Sequence, residues 1–273
     1  MRQSQCGRAR RAVLAALLLA VLAAVLAAGC GKSVLPDVVA ASGEPATRQF
    51  DLSGFTAVVF DSGVVASLYQ ADEPAVAATL DGGLVKYMVV KVDGDTLYVG
   101  LKPGKMYSGL TFRVSVAMPV LERLEATGGS RVRVYGFASA DPLALALTRG
   151  SYIALSGVEG GAVTADVGDA SGVSGDLTAK TLTATVSASS RLGVTGAADS
   201  AVVDASGGSG FDLGTFTVRD LQAKLSGGSH GTVLVTGTLD ADVSGGSQLE
   251  YGGTPTLGDV QTSGGSQVKR MGD

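Results

Sequence analysis

Ala223-Lys224-Leu225-Ser226-Gly227-Gly228-Ser229 and Ala241-Asp242-Val243-Ser244-Gly245-Gly246-Ser247 are two copies of one phrase. Gly-Gly-Ser also stands at 128–130, 207–209 and 264–266, with degenerate copies at Arg149-Gly150-Ser151, Asp169-Ala170-Ser171 and Ser189-Ser190. The marker serines are Ser130, Ser151, Ser171, Ser190, Ser209, Ser229, Ser247 and Ser266, spaced by 21, 20, 19, 19, 20, 18 and 19 residues. A recurrence this regular signals a stack of like units.

Aligned on the serine, the copies resolve into columns. Six residues before it stand Leu124, Leu145, Ala165, Ala184, Val203, Ala223, Ala241 and Val260; four before it stand Ala126, Leu147, Val167, Val186, Ala205, Leu225, Val243 and Thr262. The position between is mostly polar, holding Glu125, Asp166, Asp204, Lys224 and Asp242 among others. Apolar, polar, apolar is the period of a half-buried strand. Two residues after the serine the chain turns apolar again, at Val132, Ile153, Val173, Leu192, Phe211, Leu249 and Val268. Each unit therefore reads as strand, tight corner, strand, then a second glycine turn at Gly136, Gly157, Gly196 or Gly253. Such a unit cannot bury its apolar face alone, and stacking supplies each strand with a neighbour. The expected fold is all-β: a single-stranded parallel β-helix, or solenoid, of about eight rungs of about 19–20 residues with an N-terminal β-rich cap. An antiparallel meander or sandwich is the rival, since frequent turns suit it too. In the solenoid the marker serines form a structural corner column, able to hydrogen-bond along the stack.

Composition agrees with a thin, repeated core. Of 273 residues, 45% are hydrophobic, 5% aromatic and 17% charged, with 40 glycines. The formal charge is −4, and residues 1–29 hold four arginines and no acid, so the remainder carries −8. That argues against a nucleic-acid partner, which asks for a basic face.

The first thirty residues have their own logic. Arg8, Arg10 and Arg11 precede an apolar run from Ala12 to Ala28, then Gly29-Cys30. A basic start, a short apolar stretch and small residues describe a secretory signal. The segment resembles a bacterial lipobox, which implies a signal peptide over 1–29, cleavage between Gly29 and Cys30, and lipid attachment at Cys30. An uncleaved membrane anchor and plain secretion are the alternatives, and the arginine pair faintly resembles a twin-arginine signal. Residues 30–47, with Pro36, Gly43 and Pro45, read as a lipidated tether.

Residues 48–119 read as the strand-rich cap and 120–273 as the repetitive part of the same domain. Phe55–Phe60 and Leu97–Leu101 read as strands, Asp93-Gly94 as a hairpin turn, and Phe112–Val116 as a strand closed by Pro119. The succession "LSGFTAVVF", "DSGVVASLYQ", "DGDTLYVGL" and "FRVSVAMPVLERLEATGGSRV", followed by Gly-Ser-punctuated repeats, resembles the bacterial Putative auto-transporter adhesin, head GIN domain family. The resemblance spans about residues 48–270. It implies a β-helical fold and an envelope location, and brings no catalytic motif.

Gly207–Leu213 partly matches a calcium-binding nonapeptide, but Gly214 stands where an apolar residue belongs and no second copy follows. Asp166, Asp204 and Asp242 share a column with Ala, Thr, Lys and Gln, as a solvated strand face does. No His or Lys recurs beside the serines, so they lack the base a nucleophile needs. His230, the one histidine, aligns with Arg131, Gln248 and Gln267, and Tyr87, Tyr98, Tyr107, Tyr135, Tyr152 and Tyr251 look scattered. No catalytic residue, metal or cofactor is expected. The expected protein is non-enzymatic, exported across the inner membrane and held by acylated Cys30 in membrane lipid at the outer membrane or cell surface. Its partner is an envelope polysaccharide or a surface protein. A carbohydrate-active enzyme and a subunit of an envelope signalling or assembly complex are the alternatives.

Overall fold

The computed structural model describes residues 37–272. The leader, Gly29 and Cys30 lie outside the described residues. Two compact units are distinguished. In the smaller, Met106 N–H donates to the Asp37 carbonyl (3.1 Å), and Lys105 pairs with the Asp37 carboxylate. The larger, described over residues 39–103 and 107–272, is all-β and forms a solenoid of about seven turns, one for each interval between successive marker serines.

The sequence columns become hydrogen-bond register. Val167, Val186, Ala205, Leu225, Val243 and Thr262 are successive parallel partners, as are Ala165, Ala184, Val203, Ala223, Ala241 and Val260. These positions point inward and are buried as far as Val243 and Ala241. The core they build is thin and made of alanine, valine and leucine. Where one turn carries a bulky residue, its neighbour yields: Phe211 is register partner to Gly231, and a Cβ on Gly231 would lie 2.2 Å from the Phe211 ring.

Each corner places two consecutive residues at positive φ. Gly227 and Gly228 have φ of 64° and 75°. Two of the three degenerate corners keep this geometry without glycine: Asp169 and Ala170 sit at 55° and 58°, Ala188 and Ser189 at 54° and 63°. A side chain in this region is strained, and here parallel pairing on both sides enforces it.

Seven of the marker serines are buried, from 0% to 4% exposed, and Ser266 is half-buried. Five of the eight hydroxyls accept along the stack, whereas those of Ser130 and Ser229 donate to the Thr127 and Ser226 carbonyls of their own corners (2.7 and 2.8 Å). Ser171 Oγ accepts the backbone N–H of Ser151 (3.2 Å), Ser190 Oγ that of Ser171 (3.2 Å), Ser209 Oγ that of Ser190 (3.2 Å), Ser247 Oγ that of Ser229 (3.1 Å) and Ser266 Oγ that of Ser247 (3.1 Å). The corner thus satisfies amides that the bend removes from the strand ladder. Ser151 Oγ is the exception: it is buried without a partner among the described residues.

Three features depart from the sequence reading. First, each full turn has three faces. Between the glycine bend and the next strand, 158–160, 177–179, 196–198 and 216–218 pair as a short third column. Register shifts at its edge absorb the variation in turn length. Gly196 there has φ of 122°, and a Cβ would lie 2.0 Å from the Leu177 carbonyl oxygen. Second, the expected tether reaches too far: Pro45–Phe50 is a strand, antiparallel to Ala75–Asp81. Its backbone finds a partner that local composition does not reveal. Third, the N-terminal strands are threaded out of chain order. Ala57–Phe60 lies between Thr96–Leu101 and Arg123–Ala126, and Val65–Gln70 lies between Phe112–Met118 and Arg131–Tyr135, all in parallel. Outside them, Ala75–Asp81 pairs antiparallel with Phe112–Met118 and Met88–Asp93 with Thr96–Leu101, the latter through a hairpin whose Gly94 has φ of 63°.

Ser190→Ala is expected to cost about 1–3 kcal/mol of stability, since it removes the acceptor of a buried amide. Ser151→Ala, whose hydroxyl has no partner, is expected to cost far less. Denaturant unfolding of the two variants side by side checks the contrast. Ala188→Gly is expected to stabilise by about 0.5–1 kcal/mol by relieving the left-handed strain, read as a higher unfolding midpoint.

Candidate functional site

The inward residues of the strands after the corner are fixed by packing, whereas their outward neighbours are free to vary. On this outward side the first column runs Arg113, Val65, Arg131, Tyr152, Gly172, Arg191 across adjacent parallel strands. The next outward column runs Ser115, Ser67, Arg133, Ala154, Ser174. Beyond it Tyr69 and Tyr135 are register partners whose rings stack at 5.1 Å with planes 8° apart. Out-of-order threading creates this assembly, because Val65 and Ser67 sit between strands that come later in the chain.

Four arginines, Arg113, Arg131, Arg133 and Arg191, are therefore exposed on one face. Among the described residues no acid pairs with any of them and none makes a side-chain hydrogen bond. Arg123, by contrast, contacts Glu125 at 3.1 Å. Tyr152 is 41% exposed, and a Cβ on Gly172 would stand 3.1 Å from its ring, so the ring lies over the bare backbone of the neighbouring turn. Its hydroxyl bonds to the Ser174 hydroxyl. Three adjoining hollows follow the face. One of about 300 Å³ is lined by Arg113, Arg133, Tyr69 and Thr79; one of about 330 Å³ by Arg131, Tyr152 and Arg191; one of about 220 Å³ by Val65, Arg131, Arg133 and Tyr152.

The tyrosines that look scattered in sequence are only partly so. Tyr135 stacks on Tyr69, which sequence reasoning passed over, and Tyr152 lies on the same outward side of the strands, four positions away along them. The signal available was faint: Arg131, Tyr152 and Arg191 each follow a marker serine directly.

A separate hollow, of about 590 Å³, lies on the outward side of the strands before the corner. Asp204, Lys224, Asp240, Asp242 and Asp259 line it. Asp204, Lys224 and Asp242 are cross-strand neighbours, a favourable alternation of charge. Asp240 accepts the backbone N–H of Asp259 (2.7 Å), a structural engagement. Asp166 shares the column but lies outside this hollow.

Other candidates are structural. His230 is exposed and its imidazole covers Gly210, where a Cβ would approach to 2.6 Å. Asp212 in the partial calcium motif accepts the Gly214 N–H (3.0 Å). Burial, with the charge and hydrogen bond of Asp61, raises the Tyr98 phenol above its usual value. It stays protonated near neutrality and is unfit as a base there. Among the described residues no three of His, Cys, Asp and Glu gather to hold a metal ion.

Comparison with known proteins places this geometry. The family model described as Putative auto-transporter adhesin, head GIN domain, matches residues 54–255. A putative adhesin of Parabacteroides merdae is similar over 86% of this chain and 99% of its own, with TM-score 0.80 and 20% identity. A putative lipid binding protein of Parabacteroides distasonis is similar over 86% and 100%, with TM-score 0.81 and 17% identity. A putative adhesin of Bacteroides fragilis is similar over 85% and 100%, with TM-score 0.68 and 16% identity. At these identities the likeness is one of fold. No curated protein matches the sequence.

Because none of the four arginines is engaged in the fold, replacing Arg131 and Arg191 by serine is expected to leave stability within about 0.5 kcal/mol per site. Thermal unfolding of the double variant checks this.

Proposed function

The chain belongs to the Putative auto-transporter adhesin, head GIN domain family, and on that premise we propose that it is a non-catalytic binding module of the bacterial envelope. In this reading the leader is cleaved after Gly29, Cys30 is acylated, and the solenoid is carried at the outer membrane or cell surface. The arginine–tyrosine face then meets envelope polymers or a surface protein. The observation that carries the reading is this face: four unpaired arginines and three tyrosines gathered on one side of a chain whose charge beyond residue 29 is −8. Exposed charge with no role in the fold is what a docking surface retains. Seven of the serines are buried and five accept backbone amides, which supports a scaffold without a nucleophile.

Intact mass of the protein from its own membrane tests the anchor. A chain beginning at Cys30 with acyl mass is expected, and Cys30→Ala is expected to lack that mass. Retention of Met1 in the wild type would sink the lipoprotein reading. Binding tests the face: full-length protein is expected to attach to isolated envelopes in a salt-dependent way, and Arg131→Ser/Arg191→Ser is expected to weaken attachment by about tenfold.

The acidic hollow supports a second reading, a carbohydrate-active enzyme, since paired carboxylates serve glycoside hydrolysis. Release of reducing ends from an envelope polysaccharide, lost in Asp242→Asn, would establish it.

A further inference from the structure

Building on the binding role of the arginine–tyrosine face, we propose that its ligand is a linear acidic polysaccharide laid across the strands along the solenoid axis. Three features of the face select this chemistry.

The first is the spacing of charge. Arg113 and Arg131 are separated by one strand, about 10 Å at the usual strand separation, and Arg131 and Arg191 by two, about 14–15 Å. The cations form a line in step with the turns, with Arg133 beside it. A single small anion would use one guanidinium or two converging ones. A line of separated guanidinium groups matches a polymer that presents acidic groups at intervals. Arginine suits carboxylate or sulfate because its planar fork can donate two parallel hydrogen bonds.

The second is the aromatic surface within the line. Tyr152 stands between Arg131 and Arg191, its ring supported over Gly172. A flat exposed ring between cations offers its face to the C–H side of a sugar ring and its hydroxyl to a sugar hydroxyl. Tyr69, 43% exposed and stacked on Tyr135, offers a second aromatic surface on the same side, four positions further along the strands.

The third is what fills the rest of the face. Ser67 and Ser115 supply small hydroxyl groups that exchange hydrogen bonds with a polyhydroxylated ligand, and the Ser174 and Thr79 hydroxyls, bonded to those of Tyr152 and Thr47, each keep capacity for one more. Val65 is the one large aliphatic side chain exposed among them. A membrane-binding surface needs several such groups to insert beneath the headgroups.

The test uses the full chain held in phosphatidylcholine vesicles and four labelled probes: polygalacturonate, the same polymer as its neutral methyl ester, a thymidine oligonucleotide, and vesicles of equimolar phosphatidylglycerol and phosphatidylcholine. Polygalacturonate is expected to bind, more weakly as salt rises. Arg131→Ser/Arg191→Ser is expected to lower its affinity about tenfold or more. Tyr152→Ala is expected to lower it several-fold, with Tyr152→Phe retaining most of it. Lys180→Ser, exposed on the third face and outside both hollowed faces, is expected to leave it unchanged. Equal binding of the neutral ester, preference for the oligonucleotide or the phosphatidylglycerol vesicles, or no binding of polygalacturonate would each overturn the proposal. If polygalacturonate fails while the arginine variants still lose attachment to envelopes, the ligand class alone is wrong. If the variants attach as the wild type does, the face has no binding role and both readings fall.

Discussion

Two adjacent residues at positive φ, followed by a serine turned inward, make the corner on which the solenoid depends. The bend takes backbone amides out of the strand ladder, and burial makes an unpaired amide expensive. A serine hydroxyl from the next turn restores the bond, as in Ser190 Oγ to Ser171 N–H. The corner also sets register. A slip of one residue would move Val186 and Ala184 outward and bring Thr185 into the core. Glycine makes the corner easy, yet Ala170 and Ala188 show that neighbouring turns can impose it on other residues.

With register fixed, packing is a negotiation between adjacent turns. The interior is narrow, so volume added in one turn is removed in the next, as with Phe211 and Gly231. The outward positions carry no such restriction. Charge is accordingly sorted on them: arginines collect outside the strands after the corner, toward the N-terminal turns, and aspartates outside the strands before it, toward the C-terminal turns. Neither arrangement follows from the demands of the fold, which is why the surface columns carry the functional argument.

The strand columns, their inward positions and the serine corner were legible in the amino-acid sequence, because register partners recur about twenty residues apart and each turn obeys the same local chemistry. Aligning Val167, Val186 and Ala205 by their serines is the same operation as pairing them in the sheet. The third face was not legible: its three-residue segments are too short to show a period, and the register shifts beside them blur the alignment. Nor was the strand from Pro45, whose pairing with Ala75–Asp81 is antiparallel and lies outside the repeat. What the tertiary structure alone decided is the company kept by Arg113 and Arg131. They meet across Val65, a residue nearly fifty positions earlier than Arg113, because the first rung-like strands are inserted between later ones. Local periodicity specifies a strand and its inward side, but the order in which strands stack is a long-range choice of pairing partners, and the candidate binding face is a product of that choice.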